Sequence, residues 1–168
     1  SRDVRLHLAR ALVAEKRYDE ARKHFTRLLA EHPDSPELIY PVAVLALQQN
    51  DVATAEPLLK KVLVSGEPAE RTVAAFYLGQ IHEDRGADAE AVGYYRQVIS
   101  GEQFAAAQIR VANLQVKQGG GLAMAIEHLE ASAVRYPPAR VQFSLAEAQL
   151  LRDAGREAEA LALLEKSL

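Results

Sequence analysis

The sequence predicts an all-α fold: a right-handed superhelical α-solenoid of about five helix-turn-helix units, forming a single array over residues 1–168. Three observations predict it. A small residue recurs at Ala21, Ala55, Ala91, Ala125 and Ala160, with spacings of 34, 36, 34 and 35 residues. Its neighbours recur with it: a large residue one turn later at Phe25, Leu59, Tyr95, Leu129 and Leu164, and an earlier small residue at Ala9, Ala43, Gly79, Ala112 and Ala148. Finally, 49% of the residues are apolar, many of them Ala, and Trp is absent. Ala is the strongest helix former and lets helices pack closely. A period near 34 residues means helical pairs that each bury a face against the next pair.

The first repeat covers about residues 2–35. Leu8, Ala9 and Leu12 form the apolar stripe of its first helix. Arg17 to Ala21 opens the second helix, and Glu31-His32-Pro33-Asp34 closes it, because Pro cannot continue a helix. The second repeat, 36–69, starts with Ser35 as N-cap and Pro36 in the first helical position, where a missing N–H costs little. Pro41 and Pro57 fall deeper in their helices, and each is expected to remove one backbone bond and bend its helix. Gly66 to Arg71 holds the two extra residues of the 36-residue spacing. It reads as a loop with an early start to the next helix, and as a seam where pitch or mobility changes.

The third repeat, 72–102, carries Leu78-Gly79 on its first helix, a turn at Gly86, and Ala91, Tyr95 and Val98 on its second. Gly79 and Ala91 stand where paired helices come closest, so larger side chains would hold them apart. The fourth, 105–138, has Ile109, Val111, Ala112 and Val116 on its first helix. Gly119-Gly120-Gly121 adds one residue to its turn, and its second helix, Leu122 to Arg135, ends at Tyr136-Pro137-Pro138. The fifth, 141–168, has a helix from about Arg140 to Ala154 and another from about Glu157. No polar cap follows the stripe Leu161, Leu164, Leu168. The chain is therefore expected to be a fragment of a longer array, and this end is a candidate surface for self-association.

Composition narrows the function. A net charge of −3 provides no basic field for nucleic acid. The absence of Cys excludes disulfides, thiolate metal sites and cysteine nucleophiles. No apolar run approaches the roughly 20 residues that span a bilayer. The five histidines, His7, His24, His32, His82 and His128, are scattered with no metal-ligand spacing, and His82 reads as packed and hydrogen-bonded. Ser132 and Ser144 lack a nucleophile arrangement, and Gly119 to Gly121 lacks the ending of a phosphate loop. Glu83, Asp84, Asp88 and Glu90 read as a solvated helix end. No catalytic residue, cofactor or metal is expected, and the chain reads as not an enzyme.

Function then resides in surface. The first helices of the repeats line the concave face of such an array. The groove candidates there are Tyr40, Phe76, Tyr77, Gln80, Ile109, Arg110, Asn113, Lys117, Gln149 and Arg152. Arg110, Asn113 and Lys117 are spaced i, i+3 and i+7 and share one helix face. With Arg152 on the next first helix they form a donor set suited to a carboxylate, while Phe76 and Tyr77 would hold apolar side chains of an extended peptide. The competing reading is a solvated basic face, with Phe76 and Ile109 consumed by packing between repeats.

The recurring positions resemble the tetratricopeptide repeat: large-small on the first helix, Gly at the turn, then small, aromatic and aliphatic residues on the second. The resemblance covers nearly the whole chain. It departs at Lys16, where a turn Gly is usual, and at Glu147, where a large apolar residue is usual. It implies a non-catalytic scaffold or adaptor that binds a protein or peptide. A self-associating module, or the repeat region of a larger enzyme such as a protein glycosyltransferase, is the alternative, although the asparagine ladder of such arrays is reduced here to Asn113. Likeness to carboxylate-clamping tetratricopeptide domains is partial. Phe76 to Ile81, Ala107 to Ala112 and Ala146 to Gly155 are similar to a group of proteobacterial outer-membrane lipoproteins. One member of that group resembles an adaptor of a periplasmic carboxyl-terminal processing protease. This narrower likeness implies a periplasmic, outer-membrane-anchored location and the protease or its substrates as partners; the sequence otherwise fits a cytoplasmic location.

Overall fold

The computed structural model describes residues 1–167. Among them lie ten α-helices, one 3₁₀ turn at Pro137–Ala139 and no strand. The helices are α1 (Arg2–Ala14), α2 (Tyr18–Glu31), α3 (Pro36–Gln48), α4 (Val52–Ser65), α5 (Pro68–Asp84), α6 (Asp88–Tyr95), α7 (Phe104–Lys117), α8 (Leu122–Arg135), α9 (Arg140–Asp153) and α10 (Glu157–Lys166). They form five successive hairpins in the expected order. The chain divides into two compact units, Ser1–Ile81 and His82–Leu168.

Every hairpin turn is built the same way. Lys16, Asn50, Gly86, Gly119 and Gly155 take left-handed backbone, with φ of 59°, 56°, 74°, 82° and 75°. Each donates its N–H to the carbonyl three residues back, as Lys16 does to Val13 at 2.9 Å and Gly155 to Arg152 at 2.9 Å. The following residue donates to the carbonyl five back, as Arg17 does to Leu12 and Arg156 to Leu151, both at 2.8 Å. These paired bonds satisfy carbonyls that a helix end leaves orphaned. A Cβ at Gly86, Gly119 or Gly155 would meet nothing within 4 Å, so only the backbone angle favours glycine there. Lys16 and Asn50 adopt the same conformation without glycine's freedom.

The linker between α4 and α5 corrects one expectation. Only Gly66 and Glu67 separate the helices, and α5 runs for 17 residues. The two extra residues lengthen α5 rather than forming a loop. Glu70 accepts from the Glu67 N–H at 3.1 Å, which satisfies one donor of the early start. Ser35 occupies the N-cap position of α3 without a side-chain cap bond, whereas Asp51 caps α4 by accepting from the Thr54 N–H at 3.2 Å. Both α3 and α4 continue through their internal prolines.

A second correction concerns α6, which stops at Tyr95 although Val98 was expected on the same helix. Gly93 weakens it, and β-branched Val98 and Ile99 precede Gly101 at φ 83°. Val98 is nevertheless fully buried.

In Ser1–Ile81, Leu6, Ala9, Leu12, Phe25, Leu28 and Val42 share one apolar cluster. In His82–Leu168, Phe104, Ala112, Ala125, Leu129 and Phe143 share another. Ala21, Ala55, Ala91, Ala125 and Ala160 are all 0–1% exposed, so the helix pairs do close over the recurring small residue. Phe104 meets the edges of Tyr136 and Phe143 at 5.7 and 6.3 Å, and the Arg135 guanidinium lies 5.7 Å from its ring. Of the last stripe, Leu164 is half-buried, Leu161 is 63% exposed, and Leu168 lies outside the described residues.

Candidate functional site

Helices α3 and α5 each carry more apolar surface than one packing face requires. On α3, Leu38, Ile39, Val42, Ala43, Leu45 and Ala46 are buried, and Tyr40, Val44 and Leu47 form a half-buried stripe at i, i+4 and i+7. On α5, Ala74, Ala75, Leu78 and Gly79 are buried, and Val73, Phe76, Tyr77 and Gln80 form a half-buried stripe. The rings of Phe76 and Tyr77 meet edge to face at 5.8 Å and 69°. Burial raises the pKa of the Tyr40 phenol, and the charges of Glu70 and Tyr77 beside it raise it further. Tyr40 and Tyr77 thus belong to one neighbourhood within the first unit. It presents aromatic bodies, phenol tips and the Gln80 amide: apolar contact area with a few hydrogen-bonding groups.

The second unit treats its candidates differently. Arg110 Nη1 donates to Glu83 Oε2 at 2.7 Å, and the Tyr95 hydroxyl donates to the same oxygen at 2.6 Å. The Arg110 guanidinium also lies 5.9 Å from the centre of the Tyr95 ring. Burial, and then the bond to Glu83, push the Tyr95 phenol well above its ordinary pKa. Burial alone would lower the Arg110 pKa; the bond to Glu83 and the neighbouring charges outweigh it and raise it. Seven residues on, Lys117 Nζ pairs with Asp88 Oδ2 at 2.7 Å. Glu83 and Asp88, expected as a solvated helix end, are therefore half-buried partners of the α7 cations.

Asn113 lies exposed between those two pairs. Ile109 is half-buried against the cluster of Phe104, Leu129 and Phe143. Gln149 is exposed and donates to Asp153 at 2.6 Å. Arg152 is exposed and makes no ion pair among the described residues. The His82 ring packs 5.0 Å from that of Tyr94. Among the described residues no three His, Asp or Glu side chains gather as a metal site, and no helix is long and apolar enough to cross a membrane.

Sequence reasoning missed the contact between Gln108 and His128. Gln108 is 5% exposed, and its Nε2 donates to the Val98 carbonyl at 2.9 Å, just past the early end of α6. Its Oε1 faces His128 Nε2 at 3.0 Å, so that nitrogen carries the proton. Burial, and then the charge of Arg96, lower the His128 pKa. The signal was positional: counting four back from each small residue of the first helices puts Gln108 in the slot of Ile39 and Ala75, which are fully buried.

The comparisons with known proteins agree with this architecture. Residues 1–40 and 12–71 match the family model for the tetratricopeptide repeat. No curated protein matches the chain. The fold is similar to the crystal structure of the MamA protein, with a TM-score of 0.76 and 17% identity over 99% of this chain and 90% of that one. It is similar to YrrB, a TPR protein with an unusual peptide-binding site, with a TM-score of 0.70 and 16% identity over 96% and 82%. It is also similar to PilF of Pseudomonas aeruginosa, with a TM-score of 0.63 and 16% identity over 98% and 75%. At these identities the likeness is one of fold. It bears out the tetratricopeptide resemblance at the level of repeat and hairpin architecture.

Proposed function

We propose that the chain is a non-catalytic interaction scaffold that binds an extended peptide segment of a partner protein. The observation that carries this reading is the half-buried aromatic stripe of the first unit, Tyr40, Phe76, Tyr77 and Gln80. Aromatic anchors bury much area at little entropic cost and dominate protein interfaces. The fold likeness to YrrB, a TPR protein with an unusual peptide-binding site, supports the same class of ligand. In the second unit, taken by itself, Ile109, Arg110, Asn113, Lys117, Gln149 and Arg152 are the candidate polar and apolar contacts. There a ligand carboxylate competes with Glu83 for Arg110 and with Asp88 for Lys117.

Selection of a peptide on the immobilised chain, followed by calorimetry, tests the proposal. Replacing Tyr40 and Tyr77 by Ala together should weaken the selected peptide by about tenfold or more while helix content stays constant. An unchanged dissociation constant in that folded variant rejects the aromatic site. The finer reading, an adaptor for a periplasmic carboxyl-terminal processing protease, is supported by the three short segments beginning at Phe76, Ala107 and Ala146. Failure of the chain to alter substrate cleavage by such a protease rejects the finer reading and leaves the scaffold.

A further inference from the structure

In the three middle repeats, two slots of the first helix are filled and closed. Four residues before the small residue stand Ile39, Ala75 and Gln108, and one residue before it stand Val42, Leu78 and Val111; all six are 0–5% exposed. In the fifth repeat those slots hold Ser144 and Glu147, and both are half-buried. A hydroxymethyl and a carboxylate do not fill what Ile39 and Val42 fill in the second repeat. A cleft of about 640 Å³ opens there between α8, α9 and α10.

Its walls carry aliphatic side chains from all three helices: Val134 is 82% and Val141 63% exposed, and Leu163 is half-buried. Set among them, Glu147 makes no ion pair or hydrogen bond among the described residues. Burial raises its pKa, and the nearby charge of Glu130 raises it further. Arg140 and Lys166 line the cleft too, yet neither pairs with Glu147. Arg140 lies seven residues from Glu147 on α9, about 10 Å away along the helix. The cleft thus has Glu130 and Glu147 towards one end and Arg140 at the other, with Val134, Val141, Leu163 and the Lys166 ammonium also on its walls.

We propose that this cleft is a second docking site, taking an extended peptide segment in which a lysine or arginine is flanked by aliphatic side chains. The cation meets the half-buried Glu147 and the exposed Glu130 beside it, and offsets the repulsion between the two carboxylates. The aliphatic neighbours cover Val134, Val141 and Leu163, whose exposure otherwise leaves apolar area in water. Arg140 repels a ligand laid in the opposite direction, so charge fixes polarity as well as affinity.

Fluorescence polarisation with two labelled peptides tests this: one carries a single lysine flanked by leucines, the other glutamate in place of that lysine. The lysine peptide should bind and the glutamate peptide should not. Glu147→Gln keeps the shape of the cleft and should weaken the lysine peptide by about tenfold. Ser144→Ile with Glu147→Val restores the apolar slots of the second repeat and should abolish binding while raising the denaturation midpoint. The pair Tyr40→Ala and Tyr77→Ala should leave this binding unchanged, which separates the cleft from the aromatic stripe. Equal binding of both peptides overturns the proposal, as does binding that survives both cleft variants. A concentration-dependent dimer abolished by the double cleft variant, with neither peptide bound, also overturns it and makes a second copy the occupant.

Discussion

Tyr77 and Tyr95 show how the two units use the same residue type. Tyr77 lies on the half-buried stripe of α5, packed edge-on with Phe76 and close to Tyr40. Tyr95 fills the large slot of a second helix, is 0% exposed, and holds Glu83 with its hydroxyl while Arg110 holds the same oxygen. In the first unit the tyrosines are half-buried on an aromatic stripe. In the second the Tyr95 hydroxyl is spent inside the fold. A stripe of cations on one helix face is therefore not the same thing as a free positive surface: Arg110 and Lys117 meet Glu83 and Asp88 before they meet any ligand.

Truncating the two tyrosines tests the contrast most strongly. Tyr95→Ala should cost about 3–5 kcal/mol, because it empties a closed slot and removes one of the two donors to Glu83. Tyr77→Ala should cost less than about 1 kcal/mol, since a half-exposed side chain leaves no closed cavity. Equal shifts of the urea midpoint would remove the distinction between an anchor surface and a core.

A smaller effect is expected from pH. The folded pKa of His128 lies below its ordinary value of 6.5, so near pH 6 the unfolded chain binds more protons than the folded one. This contribution to stability is complete above the ordinary value and is lost as pH falls toward the folded pKa. His128→Gln removes the titration and keeps an amide donor for Gln108. Its stability should fall less than that of the parent between about pH 7.5 and about pH 5.5. Parallel pH profiles would show that the Gln108 contact does not depend on the neutral ring.

The smallest effect belongs to the pair of Lys117 and Asp88. The lysine side chain is 62% exposed, so Lys117→Ala should cost under about 1 kcal/mol, and less again at high salt. A loss that is larger and insensitive to salt would make this contact a structural one like that of Tyr95.

The sequence by itself determined the number, order and phase of the helices and the residues that close each hairpin. Those features follow from local periodicity, from recurring small residues and from short-range turn geometry. The left-handed position recurs at Lys16 and Asn50 because the paired turn bonds, not glycine alone, define it. Tyr40, Phe76 and Tyr77 were legible as candidates because their helices have apolar residues beyond the packing face. Other features depended on tertiary structure: the pairing of Arg110 with Glu83, 27 residues earlier, the end of α6 at Tyr95 with Gln108 bonded to the carbonyls beyond it, the edge contacts of Phe104, and the open cleft beside Ser144 and Glu147. A helix-face pattern says which way a charge points along its own helix. Whether that charge is neutralised, or a slot is filled, depends on side chains brought alongside from other helices, and only packing sets those distances.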